Sequence, residues 1–119
     1  MFKNLITKWQ KSKLKDKKYE CLFNEPIKGE YVCLDCETTG LNPRKDEILS
    51  IAAVHIKDNK IIMRKRFNIF VKPSKKIDAE SIKIHRIRPI DLENAVRPTI
   101  AIYELLEFIW NKPIVGYYI

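Results

Sequence analysis

The segment Val32-Cys33-Leu34-Asp35-Cys36-Glu37-Thr38-Thr39-Gly40-Leu41 constrains this chain more than any other, because a short apolar run delivers two carboxylates and then turns at once. Strand side chains alternate between faces, so Asp35 and Glu37 project to one side while Val32, Leu34 and Cys36 project to the other. Two carboxylates held this close repel each other unless a cation lies between them. Oxygen donors on a rigid strand suit hard divalent ions such as Mg²⁺ or Mn²⁺. The segment therefore reads as a strand carrying half of a metal site. The plainer alternative is a pair of solvent-facing acids before an ordinary Thr-Gly turn, and it leaves the apolar flank and the Thr-Thr-Gly-Leu run without a role.

Composition bounds the remainder. A chain of 119 residues with 45% apolar content can bury one modest core, which predicts one domain. No apolar run approaches the roughly 20 residues needed to span a bilayer, and Met1 to Gln10 lacks the apolar core and small-residue cleavage site of a secretory signal. Three cysteines, an odd number in a Lys-rich chain, fit a reducing cytoplasm better than a disulfide scaffold. Cys33 and Cys36 form a Cys-x-x-Cys, but residues three apart on a strand face opposite sides and cannot close on one zinc ion.

The net charge of +8 is unevenly placed: residues 1–18 hold seven lysines and one aspartate, leaving the rest of the chain nearly balanced. Residues 1–28 read as a basic amino-terminal arm. Within it Phe2, Leu5, Ile6 and Trp9 fall at i, i+3, i+4 and i+7, the stripe of an amphipathic helix. Such a stripe packs on its own domain, or the lysines touch nucleic acid phosphates, or the helix docks on a membrane or partner.

After the first strand, Leu41 to Lys45 reads as a turn, and Asp46 to Ile56 as a strand buried on both faces. Asp58-Asn59 supports a tight two-residue hairpin. In the return strand Phe67, Ile69 and Val71 share one face and Arg64, Arg66 and Asn68 the other. The short basic runs Arg64 to Arg66 and Lys72 to Lys76 read as solvated surface. Lys76 to Ile87 reads as a helix capped by Asp78, with Ile77 and Ile82 as an apolar staple. Taken alone, Glu80 is a first-turn acid and His85 an end-of-helix histidine, both favoured by the helix dipole. Between Pro98 and Pro113, Ile102, Leu105, Leu106 and Ile109 predict a helix on the sheet, with Phe108 and Trp110 as packing residues. Ile114 to Ile119 reads as the start of a further buried strand.

Asp-x-Glu-Thr-Thr-Gly-Leu resembles the first motif of the DEDD superfamily of 3′-to-5′ exonucleases, the group that includes the proofreading epsilon subunit of bacterial DNA polymerase III. The resemblance implies an α/β, ribonuclease H-like fold: a three-stranded antiparallel sheet followed by helices and a further strand. It implies two Mg²⁺ or Mn²⁺ ions about 4 Å apart, with Asp35 bridging them and Glu37 holding the ion that activates water. Thr38, Thr39, Gly40 and Leu41 would contact the terminal nucleotide of a DNA 3′ end. The family also carries an acid followed five positions later by His-Gly-Ile, which lines the terminal-nucleotide pocket. Glu80 and His85 match that pattern, with Ile87 in register and Arg86 in place of the glycine.

The resemblance covers residues 29–119, about the first three fifths of such a domain. It leaves out the aspartate that completes the second motif and the histidine and aspartate of the third, and Tyr117-Tyr118 stand where the family has His-Asn. Tyr117 and Tyr118 are either plain strand residues or neighbours of the metal centre. Neither His55 nor His85 matches the family's general base. The expectation is an incomplete 3′-to-5′ exonuclease domain, truncated at the carboxyl end, poorly stable and nearly inactive alone, with a DNA polymerase subunit as a candidate partner. The rival reading is a nucleic-acid-binding or polymerase-associated module without the chemistry.

Overall fold

The computed structural model describes the backbone of residues 2–117 and the side chains of residues 4–117. Among these, helix α1 (Phe2–Ser12) and a 3₁₀ segment (Lys17–Phe23) precede three strands, β1 (Glu30–Thr38), β2 (Ile48–Lys57) and β3 (Lys60–Phe70). Helix α2 (Ala79–His85), a 3₁₀ turn (Pro89–Leu92), helix α3 (Pro98–Ile109) and strand β4 (Ile114–Val115) follow. The sheet order is β3-β2-β1-β4, antiparallel except for the parallel pair β1–β4. This mixed sheet with helices is the expected ribonuclease H-like α/β arrangement.

Asp58 and Asn59 turn the β2–β3 hairpin with φ of 50° and 62°. Positive φ at both central residues is what a two-residue hairpin needs to match the strand twist. One face of the sheet carries Val32, Ile51 and Ala53, which pack against Ala101, Leu105 and Ile109 of α3. Pro98 starts that helix at its first position, where a missing N–H costs nothing. Phe108 adds to this core beside Phe67 and His55, whose Nε2 donates to the Phe108 carbonyl at 2.9 Å. A second cluster, Leu49, Ile87 and Leu92 with Ile77 against it, seats the α2 region.

Several expectations change. The buried stripe of α3 is Ala101-Leu105-Ile109, not one beginning at Ile102, which is 39% exposed; the small Ala101 lets the helix approach the sheet, and Ile102 moves to the rim. Trp110 is half exposed, not packed, because it ends α3 at φ 55° and turns away from the core. Strand β2 is fully buried on the face of Leu49, Ile51 and Ala53, whereas on the other face Ser50 is buried but Ala52 is exposed. Strand β4 pairs only Ile114 and Val115 with β1, and both are exposed at the sheet edge rather than buried. The expected continuation through Tyr118 and Ile119 lies outside the described residues.

The basic arm divides in two. Tyr19 stacks on Tyr103 at 5.9 Å, Lys18 pairs with Glu107, and Leu22 packs against the first core cluster. Helix α1, by contrast, leaves Leu5, Ile6 and Trp9 exposed, so these members of its stripe do not pack on the domain, and the side chain of Phe2 lies outside the described residues. Among the described residues no helix is long and apolar enough to cross a membrane.

Candidate active site

Strand alternation places Asp35 and Glu37 together on the sheet face opposite α3, both exposed, while Val32, Leu34 and Cys36 turn into the core. Directly opposed residues point to the same side, so Asp35 lies beside Ala52 and Glu37 beside Ser50, and Asn68 follows Ala52 on the next strand. Arg66 and Cys33 flank the same open surface. Cys33 and Cys36 thus lie on opposite faces, as alternation requires. Burial pushes the Cys36 thiol up, and the Asp35 and Glu37 carboxylates act in the same direction.

Immediately after the carboxylates the chain is braced. A register irregularity separates Glu37 from Thr38, and the Thr38 hydroxyl donates to the Gly40 carbonyl at 2.7 Å. Thr39 N–H donates to the Glu47 carbonyl at 2.9 Å, Thr39 Oγ1 donates to Asp46 Oδ1 at 3.2 Å, and Glu47 N–H donates back to Thr39 Oγ1 at 3.0 Å. Asp46 Oδ2 also accepts from Asn42 N–H at 2.8 Å. A Cβ at position 40 would meet the Asp46 carboxylate at 2.5–2.9 Å, so glycine is what lets the loop close on that side chain. Asp46 was not among the residues singled out from the sequence; nothing in the spacing alone shows that it folds back on the turn.

Glu47 anchors the other side. Its carboxylate accepts from Ser74 N–H at 3.0 and 3.1 Å, which holds it below the usual carboxylate range. The Ser81 hydroxyl donates to the Thr39 carbonyl at 2.7 Å and so ties α2 to the loop. Asp78 caps α2 by accepting from Ser81 N–H at 2.7 Å.

Glu80 and His85 lie on α2. Glu80 is exposed and its carboxylate is 3.0 Å from Lys83 Nζ. His85 Nδ1 accepts from Ile87 N–H at 3.0 Å, and its Nε2 is buried without a hydrogen-bond partner among the described residues. Arg86 caps the helix with φ 59°, the left-handed conformation that a glycine adopts at no steric cost. Substitution of the family's glycine therefore leaves the backbone path in place and adds strain instead.

Among the described residues β4 pairs with β1 as far as Cys33, and a cleft of about 590 Å³ lies beside the end of β1. Asp35, Thr38, Gly40, Leu41, Asp46 and Tyr117 line it, and Leu41 and Tyr117 are 88% and 89% exposed. Tyr117 thus stands along the same cleft as Asp35, beyond the strand in which the sequence reading put it. Tyr118 lies outside the described residues. Among the described residues no third His, Cys, Asp or Glu joins Asp35 and Glu37 in a cluster able to hold a metal. What they offer is a pair of hard oxygen donors, a set that suits Mg²⁺ or Mn²⁺.

Comparison with known proteins agrees with this geometry. Residues 32–118 match the profile of the family described as exonuclease (RNase T type). A PolC-type DNA polymerase III from Thermotoga petrophila is 39% identical over 87 residues, covering 73% of this chain and 6% of that protein. An oligoribonuclease from Tropheryma whipplei is 32% identical over 77 residues, covering 60% of this chain and 42% of its own. The structure of a moderately thermophilic exonuclease I from Methylocaldum szegediense superimposes with a TM-score of 0.65 at 21% identity, covering 75% of this chain and 20% of that one. The chain therefore spans a small part of the polymerase and of the exonuclease I, and under half of the oligoribonuclease.

Proposed function

Because the chain belongs to the exonuclease family of the DEDD superfamily, we propose that it supplies the first metal-binding strand and the 3′-end pocket of a 3′-to-5′ exonuclease domain acting on DNA. The observation that carries this reading is the exposed pair Asp35 and Glu37 on one strand face, followed at once by a turn locked by Asp46, Glu47 and Ser81. Bound Mg²⁺ or Mn²⁺ would supply a nucleophilic water and charge stabilisation for phosphodiester hydrolysis. Asp35 and Glu37 would hold the ion through their carboxylate oxygens. Thr38, Thr39, Gly40 and Leu41 present backbone, hydroxyl and apolar surface to the terminal nucleotide. Glu80 and His85 are assigned to the terminal nucleotide by their match to the family pattern, on a helix that Ser81 ties to the Thr39 carbonyl. Neither histidine is assigned as general base: His55 lies opposite Val32 on the α3 face of the sheet, away from Asp35, and the His85 Nδ1 lone pair is taken by the Ile87 N–H.

The PolC-type relative supports DNA as substrate and linkage to a polymerase as context. The odd cysteine number supports a cytoplasmic setting. Residues 29–119 constitute the exonuclease-like unit in this reading. Two ligands hold two ions weakly, so little or no turnover is expected of these 119 residues by themselves.

A 3′-end-labelled DNA strand incubated with Mg²⁺ or Mn²⁺ tests the proposal. The expected result is at most a trace release of the labelled nucleoside 5′-monophosphate, abolished by EDTA and by Asp35→Ala. Tight DNA binding with no cleavage, unaffected by Asp35→Ala, would favour the non-catalytic nucleic-acid-binding module instead.

A further inference from the structure

Helix α1 meets the rest of the chain with its polar side. Thr7, Lys11 and Leu14 follow one line along this stretch and are its partly buried residues; Lys11 Nζ lies 3.9 Å from Glu20, and the Lys11 carbonyl accepts from Lys17 Nζ at 3.4 Å. The apolar stripe points the other way: Leu5, Ile6 and Trp9 are 59%, 54% and 59% exposed. An ordinary surface helix does the reverse, since burying the stripe is what stabilises it.

The charge around the stripe is one-sided. Lys8, Lys13 and Lys15 are exposed, Lys17 and Lys18 are exposed but paired with Glu20 and Glu107, and Asp16 is the sole acid in the first 18 residues. Lys13 Nζ sits 4.1 Å from the centre of the Trp9 ring, so a cation and an amphipathic aromatic share one edge of the stripe. From these features we propose that α1 docks on an anionic lipid surface, with Leu5, Ile6 and Trp9 entering the headgroup–acyl boundary and the lysines resting on lipid phosphates.

Charge complementarity and the stripe together select this occupant. Nucleic acid would satisfy the lysines through its phosphates but leave Leu5, Ile6 and Trp9 in water. A second copy of α1 would cover the stripe but bring two strongly cationic segments against each other. An anionic bilayer meets both needs: acyl chains accept the stripe, and long lysine side chains reach the headgroups while their stems cover apolar surface. Trp9 matches the interfacial preference of tryptophan. The docking is peripheral and leaves the Asp35 face of the sheet unused.

The test uses the full chain carrying Trp110→Phe, so that Trp9 is the remaining tryptophan, mixed with vesicles of phosphatidylglycerol and phosphatidylcholine or of phosphatidylcholine alone. The expected result is co-sedimentation with the anionic vesicles and a blue shift of Trp9 emission, with Ile6→Glu weakening partitioning about tenfold or more. Circular dichroism of Ile6→Glu in buffer checks that the fold is retained, and Lys8→Glu, which keeps the stripe, should weaken binding to the anionic vesicles as well. Three results would overturn the proposal: no vesicle binding; a lipid-independent blue shift that rises with protein concentration, which marks self-association; or binding to single-stranded DNA that Ile6→Glu leaves unchanged while vesicles bind nothing. Because Asp35→Ala does not touch α1, failure here is separable from failure of the exonuclease reading.

Discussion

The Ser81 hydroxyl donates to the Thr39 carbonyl at 2.7 Å, joining helix α2 to the turn that follows Asp35 and Glu37 across 42 residues of sequence. Ser81 is 7% exposed, so the bond is made away from water. It fastens the start of α2, which carries Glu80 and His85, to the turn that follows the acidic strand.

Removing that tie leaves a shielded carbonyl without its donor. Ser81→Ala should destabilise the chain by about 1–2 kcal/mol, read as a lower urea midpoint with an unchanged slope. DNA affinity should fall with it, because the turn and α2 then move independently. A variant with unaltered stability and affinity would show that the contact positions nothing.

Glu47 gives the pH dependence a definite sign. Its carboxyl is held below its ordinary value of 4.5, first by the Ser74 backbone N–H. A depressed folded-state value means that the contribution is complete above the ordinary carboxylate range and is lost as pH falls through the lower, folded value. Thermal melts across that acidic window should therefore fall more steeply for the native chain than for Glu47→Gln. Since the side chain is largely solvated, the difference should be small and should shrink further with added salt.

Arg86 carries removable strain. At φ 59° its side chain pays the left-handed penalty that glycine avoids. Arg86→Gly should stabilise the chain by about 0.5–1 kcal/mol, the gain being reduced by glycine's greater freedom when unfolded. Differential scanning calorimetry measures this directly, and a lowered Tm would mean that the Arg86 side chain makes a contribution larger than its backbone strain.

Much of this was legible because local rules sufficed. Alternation alone assigned Asp35 and Glu37 to one face and Val32 to the core, Asp58-Asn59 fixed the hairpin, and Asp78 marked the start of α2. Cross-strand neighbours were not legible. Counting back from the hairpin pairs Lys57 with Lys60 and His55 with Ile62, and would set Lys65 opposite Ala52. An irregularity between Val54 and His55 shifts the register by three, so Asn68 stands there instead. Such an insertion leaves the hydrophobic pattern readable while changing which polar residue flanks Asp35. The folding of Asp46 onto Gly40, likewise, is a tertiary contact that no periodicity announces.

In the proposed function Asp35 and Glu37 bind a divalent cation on the open sheet face. Titrating Mn²⁺ into isotopically labelled chain and following paramagnetic broadening of its amide resonances tests this without requiring turnover. Broadening should centre on Asp35 and Glu37 and extend to Ala52 and Asn68, and it should be abolished by Asp35→Asn and competed by Mg²⁺. Broadening centred elsewhere, or unchanged in Asp35→Asn, would contradict it.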